Sequence, residues 1–126
     1  MEIPEGLRYT QDHEWVRADG TELVIGITAY AADELGDIVF VELPRPGRKL
    51  AAHEVFGVIE SVKTASDLFT PVAGEVVAVN PDLTGAPELV NGEPYAGGWM
   101  IRIRPDDAAA ADALLDAAAY RAVIGG

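Results

Sequence analysis

The sequence predicts a mainly β fold, a sandwich or small barrel with two helices, and two observations support this prediction. Turn signals recur about every ten residues along the 126-residue chain, a spacing typical of such folds. The segments between them alternate apolar and polar residues or are rich in β-branched residues: EWVRA, TELVIGI, DIVFVEL, EVFGVIESV, GEVVAVN and WMIRIR. The length suits a single domain over residues 1-126.

A short helix is predicted over residues 29-35. Thr28 precedes it and is a suitable N-cap, because its hydroxyl can accept a hydrogen bond from the first turn. Gly36 follows it and suits the left-handed position that ends many helices.

A second helix is predicted over about 106-123, at the C-terminus. Pro105 and Asp106 open an alanine-rich stretch there, and an aspartate suits the positive end of a helix dipole. Residues at helical spacing predict a narrow apolar stripe that packs on the sandwich: Leu114, Leu115, Ala118 and Ala122. A helix that docks a partner is the alternative interpretation.

The composition excludes several classes of function. A net charge of −12 argues against nucleic acid, whose phosphates require Lys and Arg, and is compatible with basic partner surfaces or with solubility alone. There are no cysteines, so disulfides and thiolate chemistry are excluded. The two histidines, His13 and His53, lie too far apart to predict a metal site.

The predicted location is the cytoplasm of a bacterium, with the protein as a monomer. No apolar run is long enough to span a bilayer, and MEIPEGLRYT at the start lacks the features of a signal or transit peptide. A mature protein of the mitochondrial matrix would look the same.

Lysine is rare in this chain. Lys49 and Lys63 are the only two lysines, against seven arginines. A lysine that is kept in such a composition suggests a need for its amine, which arginine cannot replace as an acylation target.

Lys63 is predicted to lie at or beside the tip of a hairpin. Residues 50–62 and 68–80 share a loose pattern of a glycine followed by alternating β-formers, and they flank the segment KTASD. Gly47 and Gly74 lie 16 residues before and 11 residues after the lysine, as expected where two half-sheets reverse at sharp turns. A tip lysine is either a solvated charge or an amine that is held out for an enzyme to modify.

This layout resembles the biotinyl and lipoyl carriers, which implies a flattened barrel-sandwich hybrid of two small sheets. Biotinyl carriers usually flank the lysine with methionines. Here Val62 and Thr64 flank Lys63, with Glu60 and Asp67 nearby, which favours lipoate over biotin as the attached cofactor.

The chain resembles most closely the H protein family of the glycine cleavage system, over nearly its whole length. The matching stretches are RYTQDHEWV, VIGITAYAADELGDIVFVELPRPG, FGVIESVKTASDLFTPVAGEVVAVN, PELVN, PY, GWMIRI and LLDAAAYR. One departure is Ala29, where the family commonly has an acidic residue. It should cost the first helix a little dipole stabilisation.

The resemblance implies a carrier without catalytic activity of its own, with lipoate joined to Lys63 as an amide. It also implies a working cycle with three enzymes. A pyridoxal-phosphate glycine decarboxylase (P protein) loads an aminomethyl group onto the arm, an aminomethyltransferase (T protein) removes it, and a dihydrolipoyl dehydrogenase (L protein) reoxidises the arm. A lipoate-attaching enzyme is the fourth implied partner.

The resemblance further implies a cleft that holds the loaded arm. Its candidate residues are Glu14, which would accept an ammonium group, together with Asp67 and Asp12. The alternatives are an exposed strand residue for Glu14 and a turn cap for Asp67. Trp15 and Trp99 are expected in the core, and His13 as a surface residue or one satisfied by a partner.

Glu60 and Ser61 precede the lysine and are candidates for recognition by the lipoate-attaching enzyme. A solvated sheet face is the alternative interpretation for Glu60. Two other functions stay open: a lipoyl donor that relays the group to other carriers, and an unmodified scaffold on the same fold. The sequence shows no nucleophile–base pair or phosphate loop that would indicate an enzyme.

Overall fold

The structure is a computed structural model that describes residues 2–125, and it consists of two antiparallel sheets with short helices around them. The strands are β1 (Arg8–Tyr9), β2 (Glu14–Asp19), β3 (Glu22–Ile27), β4 (Ile38–Glu42), β5 (Lys49–Leu50), β6 (Val55–Ser61), β7 (Ala65–Phe69), β8 (Gly74–Val79) and β9 (Ile101–Pro105). The α-helices are α1 (Ala29–Leu35), α2 (Asp82–Gly85), α3 (Leu89–Gly92) and α4 (Ala117–Val123), and a 3-10 turn covers Ala110–Ala113.

The larger sheet has the order β1-β2-β3-β9-β8-β5, and the smaller one has the order β4-β6-β7. The prediction of a mainly β sandwich is confirmed. Both sheets are antiparallel, and neither closes on itself. The main core lies between them and is formed by side chains from both, such as Ile25, Val76 and Ile103 from the larger sheet and Ile59 from the smaller. Burial of these apolar side chains supplies the main stabilisation of the fold.

A second apolar cluster covers the other face of the larger sheet. Tyr9 and Trp15 are fully buried there, and Tyr120 of α4 stacks on Tyr9 with ring centroids 4.8 Å apart. Gly26 lies opposite Trp15 in the next strand, and a Cβ at this glycine would come within 2.7 Å of the indole. Trp15 is therefore a core residue as predicted, whereas Trp99 is half-buried at the edge of this cluster.

Local signals predicted the first helix and the hairpin correctly. The Thr28 hydroxyl accepts a hydrogen bond from the Ala31 N–H at 3.2 Å, and Gly36 ends α1 with a φ of 84°. All six segments that were predicted as strands contain strands, and β6 and β7 form the hairpin around Lys63. The Ala29 departure leaves the first turn of α1 without an acidic residue.

The prediction of one continuous helix over 106-123 is wrong. The structure has the 3-10 turn, then an extended segment, and then α4. Leu115 breaks the helix because it pairs with Tyr9, exchanging backbone hydrogen bonds of 2.8 and 2.9 Å, and Asp116 then caps α4. Half of the predicted stripe is wrong. Leu114 and Leu115 pack against the two apolar clusters, whereas Ala118 and Ala122 are exposed and α4 buries Ala117 and Tyr120 instead.

The two glycines that flank the lysine serve different purposes. Gly47 lies in a turn with a φ of 96°, which agrees with the predicted sharp reversal. Gly74 instead lies buried within β8, where a Cβ would overlap the carbonyl of Arg104 on the neighbouring strand. None of the described helices is long and apolar enough to cross a membrane.

Candidate functional site

Lys63 lies in a three-residue turn, 62–64, at the tip of the β6–β7 hairpin, and its side chain is exposed. The Ser61 hydroxyl accepts hydrogen bonds from the N–H groups of Lys63 and Thr64, at 3.3 and 3.1 Å. The Ser61 N–H also donates to the Thr64 carbonyl at 2.8 Å. The strand ladder and the capping serine therefore hold the lysine backbone in one conformation.

The hairpin tip is attached to the C-terminal end of α1. The Val62 N–H donates to the Asp37 carbonyl at 3.0 Å. The aliphatic stem of Lys63 passes close to Gly36, where an added Cβ would lie 3.4 Å from the lysine Cε. The described residues include no ion-pair partner for the Lys63 amine, which is therefore presented outward from a braced loop.

A cleft of about 310 Å³ lies between the turn before β2, helix α1 and strand β7. It is lined by Asp12, His13, Glu14, Ile27, Tyr30, Ala31, Glu34, Leu35, Ile59, Ser66, Asp67 and Leu68. All three residues that were predicted to contact the arm are in this set. The cleft runs along α1. This helix ends at Gly36, close to the stem of Lys63.

The Glu14 carboxyl group is buried at the cleft wall, with 4% of the residue exposed, so the alternative of an exposed strand residue is wrong. The Thr10 hydroxyl donates to its Oε1 at 2.7 Å. Burial raises the pKa of Glu14 to about 7, against the lowering effect of this hydrogen bond, and the charge of Asp12 raises the pKa further. A cation in the cleft would favour the ionised form.

Asp12 and Asp67 are exposed, at opposite sides of the cleft. Asp67 does not cap the hairpin turn, since Ser61 does so. Ser66 pairs with the buried Ile59, so alternation along β7 places Ser66 on the inner face of the small sheet and Asp67 on the outer face. Asp67 therefore contributes to the rim of the cleft rather than to its interior.

The back of the cleft is braced from the C-terminal helix. His13 has a φ of 70°, and its Nδ1 lies 2.8 Å from the Tyr120 hydroxyl. The same hydroxyl lies 2.8 Å from Oγ1 of Thr28, the N-cap of α1. Burial lowers the pKa of His13, which favours the neutral ring, whereas the charges of Asp12 and Glu34 act in the opposite direction.

Sequence reasoning missed the contribution of α1 to the cleft. Tyr30 and Glu34 lie four residues apart, so they share one face of the helix, and both line the cleft. Once the helix was predicted, that spacing could have indicated a polar face with one carboxyl group. The cleft thus has four carboxyl groups, and its lining contains no lysine or arginine.

Glu60 and Ser61 differ in what the structure shows of them. Glu60 is exposed in β6, between Phe40 on one side and Ala65 on the other. Ser61 caps the turn, a structural role that its sequence position did not reveal. Recognition by an attaching enzyme stays a prediction for both residues.

This site combines an exposed amine with an acidic cleft. Within residues 2–125 no group of three His, Asp or Glu side chains is arranged to hold a metal ion. An exposed, braced amine can accept an acyl group, and an acidic cleft that runs along the seven residues of α1, about 10 Å, can bind a cation.

Comparisons with known proteins give a consistent result. A family model described as "Glycine cleavage H-protein" matches residues 7–125. The glycine cleavage system H protein of Magnetococcus marinus is 61% identical over 122 residues, which are 97% of this chain and 87% of the relative. That of Chlorobium phaeobacteroides is 59% identical, covering 99% of each chain. A crystal structure of the H protein from Mycobacterium marinum superposes with a TM-score of 0.90, at 37% identity, over 98% of this chain and 100% of that one.

Proposed function

The chain belongs to the glycine cleavage H-protein family, and from this premise we propose that it carries a lipoyl group on Lys63. It is a component of the glycine cleavage system. The observation that supports the proposed attachment site is the position of Lys63 at the exposed tip of a hairpin whose turn is braced by Ser61 and Asp37. Lys49, the other lysine, lies in β5 beside β8 rather than at a protruding tip.

The attachment is an acyl transfer to the Lys63 amine. Nζ attacks the carbonyl carbon of an activated lipoyl donor and forms the amide bond, while the bond to the activating group breaks and that group leaves with the electron pair. The amine loses a proton in the process. The protein contributes an accessible nitrogen on a rigid loop, which the attaching enzyme can enclose without first ordering the chain.

We propose that the acidic cleft holds the cationic end of the loaded arm. Glu14 is the central acceptor, because its carboxyl group is buried and no lysine or arginine lines the cleft to balance its charge. Glu34 of α1 and Asp12 add negative charge, and Ile27 and Leu35 form apolar walls that exclude water.

The proposed function is therefore that of a non-catalytic shuttle in the cytoplasm. When bound, the lipoyl group supplies a disulfide that can take up an aminomethyl group and be regenerated by oxidation. The partners are the glycine decarboxylase, the aminomethyltransferase, the dihydrolipoyl dehydrogenase and the lipoate-attaching enzyme. An acidic protein of net charge −12 can be steered toward basic surfaces on each of them.

The test is a pair of conservative lysine variants. Lys63→Arg should keep the fold and the positive charge, yet it should abolish both lipoylation and glycine cleavage in the reconstituted system, because a guanidinium is not acylated there. Lys49→Arg is the matched control and should retain both activities. A Lys63→Arg protein that supports glycine cleavage would overturn the proposal.

A further inference from the structure

Exposed apolar side chains are concentrated beside Lys63. Four large apolar residues of the described chain are strongly exposed: Val62 at 70%, Val39 at 52%, Phe40 at 48% and Val123 at 41%. The first three surround one place, because Val62 precedes Lys63 and β4 pairs with the end of β6 that leads into the turn. We call Val39, Phe40 and Val62 the tip patch.

A β-bulge produces this exposure. Ile38 pairs with Ser61 and Phe40 pairs with Glu60, so Val39 is an extra residue in β4. Regular alternation would bury one of two consecutive residues, whereas the bulge turns both Val39 and Phe40 toward solvent. Exposing two such side chains gives up the stabilisation that their burial would provide, which indicates that something else covers them.

The tip patch is rigid and has an acidic rim. The hydrogen bond from Val62 to the Asp37 carbonyl ties the turn to the residue before β4. Glu60 lies directly across from Phe40, and the carboxyl groups of Asp37 and Glu60 are exposed without an ion-pair partner among the described residues. A complementary surface would combine an apolar pocket with a cationic border.

We propose that the tip patch is the docking surface for the lipoate-attaching enzyme, with Phe40 as its anchor, an inference that rests on the proposed function of Lys63. The attaching enzyme must bring its own active site to Nζ, so it has to cover the residues next to the turn. The other partners act at the far end of the lipoyl arm and can reach it with the length of that arm between them and the hairpin. Val62 adjoins Lys63 and Phe40 lies beside Glu60, so an enzyme that encloses the lysine comes to lie over this patch.

The experiment measures kcat/KM for lipoylation of the unmodified protein by a lipoate-attaching enzyme supplied with lipoate and ATP. Phe40→Ser and Val62→Ser should each lower it by about tenfold, as expected for the loss of an apolar anchor at an interface. Val123→Ser removes an exposed valine from α4 and should stay within about twofold of the parent. Thermal unfolding verifies that all three proteins remain folded.

A second pair of variants tests the charged border. Asp37→Lys should lower kcat/KM for lipoylation through a higher KM, and Asp106→Lys, beside Ala73 and away from the hairpin tip, should have little effect. If both variants lose kcat/KM to the same extent, the acidic residues at the rim of the tip patch have no specific role in docking.

Different results would overturn the proposed function and the proposed docking surface. A parent protein that is never modified on Lys63 overturns the proposed function itself. If the parent is lipoylated and the tip-patch variants are lipoylated at its rate, the docking surface is wrong. It is also wrong if attachment is unchanged and the fully lipoylated variants lose glycine cleavage, since the patch would then serve another enzyme.

Discussion

The carboxyl group of Glu14 is buried beside a cleft that contains other carboxyl groups. This burial should make the free energy of unfolding depend on pH. The pKa of Glu14 is 4.5 in an unfolded chain and about 7 in the folded protein. At a pH between these two values, Glu14 keeps its proton in the folded state and has lost it in the unfolded state. The free energy of unfolding should therefore fall as the pH rises from 4.5 to 7, by about 3 kcal/mol in total, and then level off.

The variant Glu14→Gln should remove this dependence. An uncharged amide keeps an oxygen that can accept the Thr10 hydrogen bond, so the variant should be more stable than the parent at pH 8 by up to about 3 kcal/mol. Denaturant unfolding between pH 4 and 8 measures the effect, with the exposed Glu88→Gln as control. An unchanged pH slope would contradict the buried state of Glu14.

The same variant separates stability from function. Once lipoylated and loaded, Glu14→Gln should lose its aminomethyl cargo to hydrolysis faster than the parent, although it is more stable. Burying a charge costs folding free energy, so a buried carboxylate lowers stability. A variant that is more stable but loses its cargo faster would show that Glu14 serves binding rather than stability.

At the residue scale, sequence reasoning identified some site residues and missed others for physical reasons. The rarity of lysine is visible in the composition, and the turn that holds Lys63 is visible in the flanking strand patterns. The burial of Glu14 is not visible, because its position at the first residue of β2 gives no sign of what α1 covers. The contacts of Tyr120 join residues more than ninety positions apart and leave no local signal.

At the scale of elements, helix propensity failed where a distant strand competed with it. The alanine-rich C-terminal stretch has high intrinsic helicity, yet Leu115 pairs with Tyr9 and divides the predicted helix. Helix α1 was predicted correctly because Thr28 and Gly36 mark its ends locally. The division of the C-terminal segment lets α4 bring Tyr120 to the back of the cleft.

Tyr120→Phe tests this bracing. The phenyl ring can keep the stacking on Tyr9, while the hydrogen bonds to His13 and Thr28 are lost, so the free energy of unfolding should fall by about 1 to 2 kcal/mol. Tyr30→Phe is the control, since its hydroxyl makes no hydrogen bond within residues 2–125, and it should change stability by less than about 0.5 kcal/mol. Equal effects in chemical denaturation would show that the hydroxyl of Tyr120 braces nothing.

At the scale of the whole molecule, helix α1 connects the proposed attachment site at Lys63 with the proposed binding cleft. The lysine stem passes close to Gly36, which ends α1, and one face of the same helix lines the acidic cleft. The lysine stem and lipoyl chain together can extend along the helix, over about 10 Å, from the hairpin to Glu14. The rest of the fold holds these two places at a fixed separation.

The most direct test of the central claim is the mass of the intact protein and of the peptide that contains Lys63, after expression with lipoate and an attaching enzyme. The account predicts a mass increase of one lipoyl group, located on Lys63, and no increase on Lys49. A protein that remains unmodified under these conditions, or that carries the group on Lys49, would contradict it.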